Sequence, residues 1–319
     1  VFLANEENDR VITGSNYHAY VKLSEGCNQS CSFCAIPSFK GKLHSRTLES
    51  LVKEVTNLVK KGFKDFSFVS QDSSSYLRDL GHNDGLEQLI DAVEKIDGVK
   101  TARILYLYPS TTTHNLIDKI ADSKVFVNYF DMPLQHISQN MLKIMKRGKG
   151  AEKLIELMNY MRSKPNSFVR TTFIAGHPGE SEDDFEELCS FVEEFGFDRG
   201  NVFSYSDEEG TSAETRDDKI EQELIDERAE ILGDIISQTT IKSLENDIGK
   251  SFEVYIDGES QEHEYLLSAR KTIWAPQIDG EIYINDNEDN IPIVFGEIYE
   301  VEATQLAGDK LLAKIIRKV

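Results

Sequence analysis

The chain carries three of its four cysteines in one stretch, Glu25-Gly26-Cys27-Asn28-Gln29-Ser30-Cys31-Ser32-Phe33-Cys34. This C-x3-C-x2-C spacing follows an apolar, strand-like run at Ala19–Leu23. Three neighbouring thiolates can hold an iron–sulfur cluster or a zinc ion. A structural zinc site usually has four ligands in two pairs, and neither His18 nor His44 belongs to a second pair. The pattern favours a 4Fe–4S cluster with one iron open to a cofactor, with zinc or purely structural cysteines as the alternatives.

The composition bounds the class of protein. The 319 residues carry a net charge of −21 with a pI near 4.8, which repels phosphate backbones and attracts basic partners. An acidic surface that only maintains solubility is the alternative explanation. Four cysteines without a disulfide framework favour the reducing cytoplasm, and no apolar run has the length of a membrane span. The stretch Val1–Glu7 becomes acidic too early for a secretion signal.

The first two thirds of the chain alternate short apolar runs, rich in strand-forming residues, with helix patterns. We predict strands at Ala19–Leu23, Phe66–Val69, Ile104–Tyr108, Val125–Phe130, Phe168–Ile174 and Val202–Tyr205. Alternation of this kind predicts a parallel sheet, here a barrel of six units or an incomplete one. Chemistry is expected at the carboxyl ends of the strands, and the cysteine loop follows the first of them.

Two of the helix patterns are well defined. Leu48–Val59 places apolar residues at i, i+3, i+4 and i+7 and ends before Gly62. A second helix should begin near Ser181, which forms a potential capping box with Asp184. Cys189 lies on the apolar stripe of that second helix, so we interpret it as a core residue rather than a ligand.

The last third of the chain has a different period. A long amphipathic helix over Ile220–Ile236 precedes it, and from about Gly249 apolar residues alternate with polar ones. The predicted strands are Phe252–Ile256, Tyr265–Arg270, Glu281–Ile284, Glu297–Ala303 and Leu311–Ile316. Five short strands within about 70 residues predict a small antiparallel barrel.

Several motifs together carry a resemblance to a known family. They are the cysteine stretch continued through Ala35-Ile36-Pro37, Ser70-Gln71-Asp72, Asp131-Met132-Pro133-Leu134-Gln135-His136, Arg170–Glu180, Tyr205–Thr211 and Ala275–Ile284. With them the chain resembles the methylthiotransferases of the radical S-adenosylmethionine (SAM) superfamily, and within these the group that acts on a ribosomal protein. The terminal barrel resembles a TRAM domain. The resemblance covers essentially the whole chain.

The resemblance implies a fold and an activity. The fold is α/β, an open or partial (β/α)6 TIM-like radical SAM barrel over residues 1–245, followed by a five-stranded, OB-like TRAM barrel over residues 246–319. The activity is methylthiolation of the β-carbon of an aspartate in small-subunit ribosomal protein number twelve. The alternative is methylthiolation of an adenosine in tRNA. The implied cofactors are a 4Fe–4S cluster and SAM, which the open iron binds and which yields a 5′-deoxyadenosyl radical.

The resemblance also implies roles for individual residues. Cys27, Cys31 and Cys34 are the cluster ligands and catalytic residues. The residues expected to contact SAM are Ile36, Ser70, Gln71, Asp72, Arg170, Gly176 and Pro178. For several of these a structural role is an open alternative: a turn for Ser70–Asp72 and for Gly176–Gly179, and an ion pair for Arg170. His136 is interpreted as structural, and Tyr205, Glu208 and Glu209 as a solvated loop.

The expected partners follow from charge and from the resemblance. Residues 249–319 contain 14 acidic and 7 basic side chains, which suits a basic ribosomal protein better than a nucleic acid. A flavodoxin-like or ferredoxin-like electron donor is also expected, without any membrane partner. Family members begin with a further domain that carries a second 4Fe–4S cluster. Because no cysteine precedes Cys27, we expect that domain and its cluster to be absent from this chain.

Overall fold

The computed structural model of the chain describes residue 3, residues 11–287 and residues 290–319. The expectation for the stretch Val1–Glu7 therefore lies outside the described residues, apart from Leu3. Within these ranges, eight strands precede the last third: β1 (His18–Lys22), β2 (Ser24–Glu25), β3 (His44–Ser45), β4 (Asp65–Val69), β5 (Thr101–Ile104), β6 (Tyr129–Asp131), β7 (Phe168–Ala175) and β8 (Arg199–Ser204). The helices are α1 (Ile36–Lys40), α2 (Leu48–Lys60), α3 (Gly85–Val93), α4 (His114–Ala121), α5 (Gln139–Ile144), α6 (Ala151–Arg162), α7 (Glu182–Phe195) and α8 (Gln222–Glu245).

Six of these strands form the expected partial barrel. The orders β1-β4-β5 and β6-β7-β8 are parallel throughout. An isolated parallel bridge between Ala102 and Phe126 connects the two halves. The short strands β2 and β3 form a separate antiparallel pair beside the cysteine loop. The prediction of an α/β fold built on six parallel strand units is confirmed.

The boundaries of two predicted strands were wrong. The third strand was predicted at Ile104–Tyr108, but β5 ends at Ile104. Tyr106 has a left-handed backbone with φ +63°, and the amide of Leu107 donates to the carbonyl of Asp131 rather than continuing a ladder. The fourth strand was predicted at Val125–Phe130, whereas β6 begins at Tyr129. In both cases apolar residues are buried in irregular backbone, which periodicity cannot distinguish from a strand.

The predicted helix signals are confirmed. In α2 the side chains of Leu51, Val55 and Leu58 are buried, and Thr47 caps the first turn. In α7 Ser181 and Asp184 form the capping box that the sequence predicts. None of the helices in the described ranges has both the length and the apolar character that crossing a bilayer requires.

The last third forms a closed barrel of β9 (Ser251–Glu259), β10 (Leu267–Lys271), β11 (Ile282–Asp286), β12 (Ile298–Ala307) and β13 (Lys310–Lys318). The order around the barrel is β10-β11-β13-β12-β9. The number of strands is as predicted, but the barrel is not wholly antiparallel. Strand β12 is not the neighbour of β11 but lies one place further around the barrel. Strand β13 runs antiparallel to β12 and fills the place between them, so β11 and β13 pair in parallel. Strand pairing over such distances is not encoded in local alternation.

A buried ion cluster joins the two barrels. Asp65 of β4 accepts from the guanidinium of Arg103 at 2.7 Å and from that of Arg270, in β10, at 2.5 Å. Asp65 and Arg103 are fully buried, and Arg270 is 2% exposed. Burial by itself would raise the pKa of Asp65, but the two guanidinium groups hold it well below its usual value. The hydroxyls of Thr101 and Tyr255 meet beside the cluster at 2.8 Å. The small barrel is thus fixed by charge as well as by apolar packing.

His18 contributes a pH-dependent term to stability. Its ring is buried against Ser67, 3.0 Å from the hydroxyl, and burial lowers its pKa from 6.5 to about 3. Between these values the unfolded chain holds a proton on His18 that the folded protein does not, so stability falls as pH falls from 6.5. Between pH 7 and pH 5 the loss is about 2 kcal/mol.

We therefore expect a His18→Gln variant to lose this pH dependence. Urea unfolding of both proteins at pH 7 and pH 5 should show the wild type losing about 2 kcal/mol more than the variant across this interval. Unfolding free energies that change in parallel for the two proteins would contradict a neutral, buried His18.

Candidate functional site

The cysteine loop leaves β2 at a position that requires glycine. Gly26 has φ +76°, and a Cβ atom there would lie 2.2 Å from the carbonyl oxygen of Lys42. The amide of Cys27 then donates to the carbonyl of Gly41 at 3.1 Å. The two ends of the loop are thereby held side by side, and the three cysteines project from a closed loop rather than from an extended segment.

The middle of the loop is anchored to three distant parts of the chain. The amide of Ser32 donates to the carbonyl of Met145 at 3.1 Å, and the carbonyl of Ser32 accepts from Ala213 at 2.9 Å. The hydroxyl of Ser32 also meets Nε2 of His177 at 2.9 Å. Ser32 is 3% exposed and lies directly beside Cys31. These contacts fix the position of the loop.

The three cysteines open onto a pocket of about 190 Å³. It lies at the carboxyl ends of the parallel strands, where the sequence predicted the chemistry. Its lining is mainly apolar, with a few polar side chains. The lining residues are Cys27, Gln29, Cys31, Phe33, Cys34, Ile36, Pro37, Gln71, Tyr106, Leu107, Tyr108, Pro133, Gln135 and Arg147.

The thiols of Cys27 and Cys34 are weaker acids than usual in this surrounding. Burial raises the pKa of Cys27 to about 11, and it also raises the pKa of Cys34. The nearby negative charge of Glu208 raises the pKa of Cys34 further. Metal ligation requires thiolates, so binding of a cationic cluster must displace these protons.

Arg147 is a site residue that the sequence analysis missed. Its guanidinium donates to Sγ of Cys31 at 3.2 Å and to the carbonyl of Pro133 at 2.5 Å. It also lies over the ring of Tyr108, 4.4 Å from the centroid. The available signal was the basic run Lys146-Arg147-Gly148-Lys149 in an acidic chain. A fixed cation at this position partly balances the negative charge of a thiolate.

The donor set fits a cluster better than a single metal ion. Within residues 11–287 and 290–319, no three His, Cys, Asp or Glu side chains are arranged to hold one metal ion. A single zinc requires all its ligand atoms at about 2.0–2.3 Å from one centre. In a 4Fe–4S cluster each thiolate binds a different iron, so the sulfur atoms stand further apart. Three free cysteines around one pocket are consistent with the second arrangement.

Of the stretch Ser70–Asp72, Gln71 lines the pocket. Ser70 is buried and donates to the hydroxyl of Ser73. Asp72 is 2% exposed and caps the short 3₁₀ turn Ser73–Ser75, where it accepts from the amide of Ser75. Asp72 also accepts from the side-chain amide of Gln29 at 2.8 Å, which ties it to the cysteine loop. The turn is therefore present, Gln71 lies at the pocket, and the contact of these residues with SAM stays a prediction.

Arg170 does not line the pocket. Its guanidinium lies 3.0 Å from Asp131 and 3.5 Å from Asp279, and the residue is 7% exposed. The ion pair given as the alternative is present, because both carboxylates occupy the charged face of the side chain, and the contact with SAM stays a prediction.

Gly176 and Pro178 also lie outside the pocket lining. Gly176 has φ +80°, and a Cβ atom there would lie 2.5 Å from a side-chain atom of Ile225. The carbonyl of Pro178 accepts from the ring of His177 at 2.8 Å. These residues form the turn between β7 and α7, the structural alternative given above.

Among the remaining candidates, one lines the pocket and three are packed in or against the interior. Gln135 lines the pocket, whereas His136 is fully buried and accepts from the amides of Ile137 and Ser138 through Nδ1. Tyr205 was predicted to lie in a solvated loop, and this was wrong. Its side chain is 6% exposed and packs against the ring of His177. Cys189 lies on α7, packed against the main core as predicted.

Comparison with known proteins gives two family matches. Residues 21–192 match the radical SAM superfamily, and residues 248–316 match the TRAM domain. The chain is 79% identical to the ribosomal protein uS12 methylthiotransferase RimO of Aliarcobacter butzleri, over 99% of this chain and 72% of that protein. It is 62% identical to the protein of the same name from Sulfurovum sp., over 100% of this chain and 72% of that one.

Solved structures are similar in fold. Coproporphyrinogen III oxidase (HemN) from Escherichia coli, described as a radical SAM enzyme, superposes with a TM-score of 0.55 at 16% identity. The similarity covers 71% of this chain and 54% of that one. At this level of identity the similarity shows a shared radical SAM barrel and nothing about the substrate.

Proposed function

The chain belongs to the RimO family of radical SAM methylthiotransferases, and from this premise we propose that it transfers a methylthio group to ribosomal protein uS12. The observation that carries the proposal is the three-cysteine pocket at the carboxyl ends of the parallel strands. It coincides with identity of 62–79% to proteins with this activity in their names. The radical SAM superfamily uses a 4Fe–4S cluster and SAM.

We propose that Cys27, Cys31 and Cys34 hold the cluster and leave one iron for SAM. When bound, the cluster and SAM supply a radical that can remove a hydrogen atom from an unactivated carbon. Arg147 stabilises the Cys31 thiolate through its hydrogen bond. The closed loop that begins at Gly26 presents the three cysteines to one pocket.

The other pocket residues have separate tasks. Phe33, Ile36, Pro37 and Leu107 present apolar surface and exclude water from the pocket. Gln71 and Gln135 are neutral amides that can orient the polar groups of SAM without adding charge. Of the SAM contacts that the resemblance implies, we propose Ile36 and Gln71 as direct contacts and Asp72 as support for Gln29.

We propose the β-carbon of an aspartate in uS12 as the target atom. The alternative is an adenosine in tRNA. Acidic side chains outnumber basic ones two to one in residues 249–319, and the whole chain carries −21 charges. A field of that sign favours a basic protein over a polyanion. Charge and family membership therefore point in the same direction.

Four further features belong to the proposal. The domain boundary lies after Glu245, between α8 and the small barrel. Any second cluster, with the sulfur it supplies, is held by polypeptide outside these 319 residues, because three of the four cysteines form the pocket and Cys189 packs on α7. A flavodoxin-like or ferredoxin-like protein supplies the electron. The enzyme works in the cytoplasm, where its substrate is made.

The test is mass spectrometry of uS12 after anaerobic incubation with the full-length, cluster-loaded enzyme, SAM and a reductant. We expect a mass increase equal to one methylthio group, located on an aspartate by fragmentation. A substrate with that aspartate replaced by Asn should remain unmodified. Modification of tRNA in a parallel reaction, with uS12 unchanged, would favour the alternative.

A further inference from the structure

A loop of the small barrel enters the interior of the partial barrel. We call it the plug loop, residues Thr272–Gly280, which connects β10 to β11. Its backbone carbonyls accept from side chains of three parallel strands. Arg103 donates to the carbonyl of Thr272 at 2.8 Å, Tyr20 to that of Pro276 at 2.9 Å, and Arg199 to that of Asp279 at 2.5 Å. The plug loop is thus part of the interior wall of the larger barrel.

The plug loop carries a buried carboxylate. Asp279 is fully buried, and one of its oxygens accepts from the amide of Ala275 at 2.7 Å. Its other oxygen lies 3.5 Å from Nε of Arg170 and beside the buried hydroxyl of Tyr129. A carboxylate in such a place is retained at a cost in desolvation, which calls for a role beyond packing.

Arg170 also contacts a second buried carboxylate, that of Asp131. Its guanidinium donates to Oδ1 of Asp131 at 3.0 Å. The other oxygen of Asp131 accepts from the backbone amide of Tyr106 at 3.1 Å, and the carbonyl of Asp131 accepts from Leu107 at 2.8 Å. Asp131 is fully buried. One guanidinium therefore links the plug loop to the backbone at Tyr106.

Tyr106, whose backbone these hydrogen bonds hold, lies at the cysteine pocket. It lines the cysteine pocket, and its side chain is 39% exposed. Its φ of +63° is unfavourable for a residue with a bulky side chain and persists where surrounding contacts enforce it. The hydrogen bond from its amide to Asp131 is one such contact. Loss of the bond would let the backbone relax and move the ring away from the pocket.

We propose that Asp279 is a positioning residue, which acts through Arg170 and Asp131 to hold Tyr106 against SAM in the cysteine pocket. The proposal rests on the proposed function, because it takes SAM as the occupant of that pocket. It gives the small barrel a part in cofactor binding, in addition to any contact with the substrate. It also explains why Arg170 is buried without touching the pocket.

The test measures the affinity for SAM rather than turnover. The full-length, cluster-loaded enzyme is titrated with SAM, and binding is followed by the change in the electron paramagnetic resonance spectrum of the reduced cluster. In the Asp279→Asn variant we expect the dissociation constant to rise about tenfold, a shift that corresponds to loss of one charged contact. Glu264→Gln, at an exposed acid of the same barrel, is the matched control and should leave the constant unchanged.

A double-mutant cycle separates positioning from general loosening of the fold. In a Tyr106→Ala background, Asp279→Asn should change SAM affinity less than twofold, because the group it positions is gone. Effects that add in full would overturn the proposal. If Asp279→Asn folds poorly, Arg170→Lys takes its place in the same double-mutant cycle with Tyr106→Ala. A single ammonium group cannot bridge both carboxylates, so this variant breaks the same connection. A wild-type enzyme that fails to bind SAM at all would instead refute the proposed function.

Discussion

Replacement of Cys31 with Ala is expected to abolish cluster binding and SAM cleavage together. Cys31 is the central one of the three proposed ligands, and its sulfur accepts from Arg147 at 3.2 Å. Without it two thiolates remain, Cys27 and Cys34, and two ligands hold a four-iron cluster poorly. After anaerobic reconstitution, iron content and visible absorbance should fall to background, and no 5′-deoxyadenosine should form from SAM under strong reductant.

Cys189→Ala is the matched control, because the chain contains four cysteines and this one lies on α7, outside the pocket lining. Its thiol has a pKa raised by burial to about 11, as expected for a side chain packed against the core. The control should keep its iron and cleave SAM at the wild-type rate. A Cys31→Ala protein that retains iron and still cleaves SAM would refute the ligand assignment.

Replacement of Asp65 with Asn is expected to cost about 3–5 kcal/mol of unfolding free energy. The change keeps the shape of the side chain but removes the negative charge that both Arg103 and Arg270 contact. Arg103 then loses its buried carboxylate partner, and Arg270 keeps only Asp257, at 3.5 Å, while each guanidinium is at most 2% exposed. Because Arg270 belongs to the small barrel, the loss should appear as weakened attachment of that barrel.

Urea unfolding measures this effect, with intrinsic fluorescence as the probe. Trp274, the single tryptophan, lies in the plug loop between the two barrels and reports on their contact. Asp91→Asn is the control. It removes the partner of Lys119 in an exposed surface pair and should cost less than about 1 kcal/mol. If the Asp65→Asn variant were as stable as this control, the ion cluster would not be what holds the barrels together.

The sequence predicted the features that depend on local chemistry. Thiolate spacing in Cys27–Cys34 indicated a cluster, because ligand number and order are properties of the chain alone. Apolar periodicity predicted α2, and side-chain capping predicted the start of α7 at Ser181. Alternation of strand and helix predicted the parallel order of the larger barrel.

Local patterns did not show how distant segments would meet. Arg147 comes to Cys31 across 116 positions of sequence, and the basic run around it did not indicate which residue it would contact. Arg170 was expected at SAM because a guanidinium suits a carboxylate, yet two carboxylates from other segments, Asp131 and Asp279, occupy it. The charge of a side chain determines which kind of group it can bind. Tertiary packing determines which group of that kind lies beside it.

By itself, therefore, the sequence determined that this chain folds as a partial parallel barrel with a three-cysteine loop, followed by a five-stranded barrel. Only the tertiary structure placed the plug loop inside the larger barrel and connected Asp279 to Tyr106. The physical reason is range. Secondary structure and ligand spacing arise from neighbours along the chain, whereas a buried charge network exists only when separate segments share one water-free space.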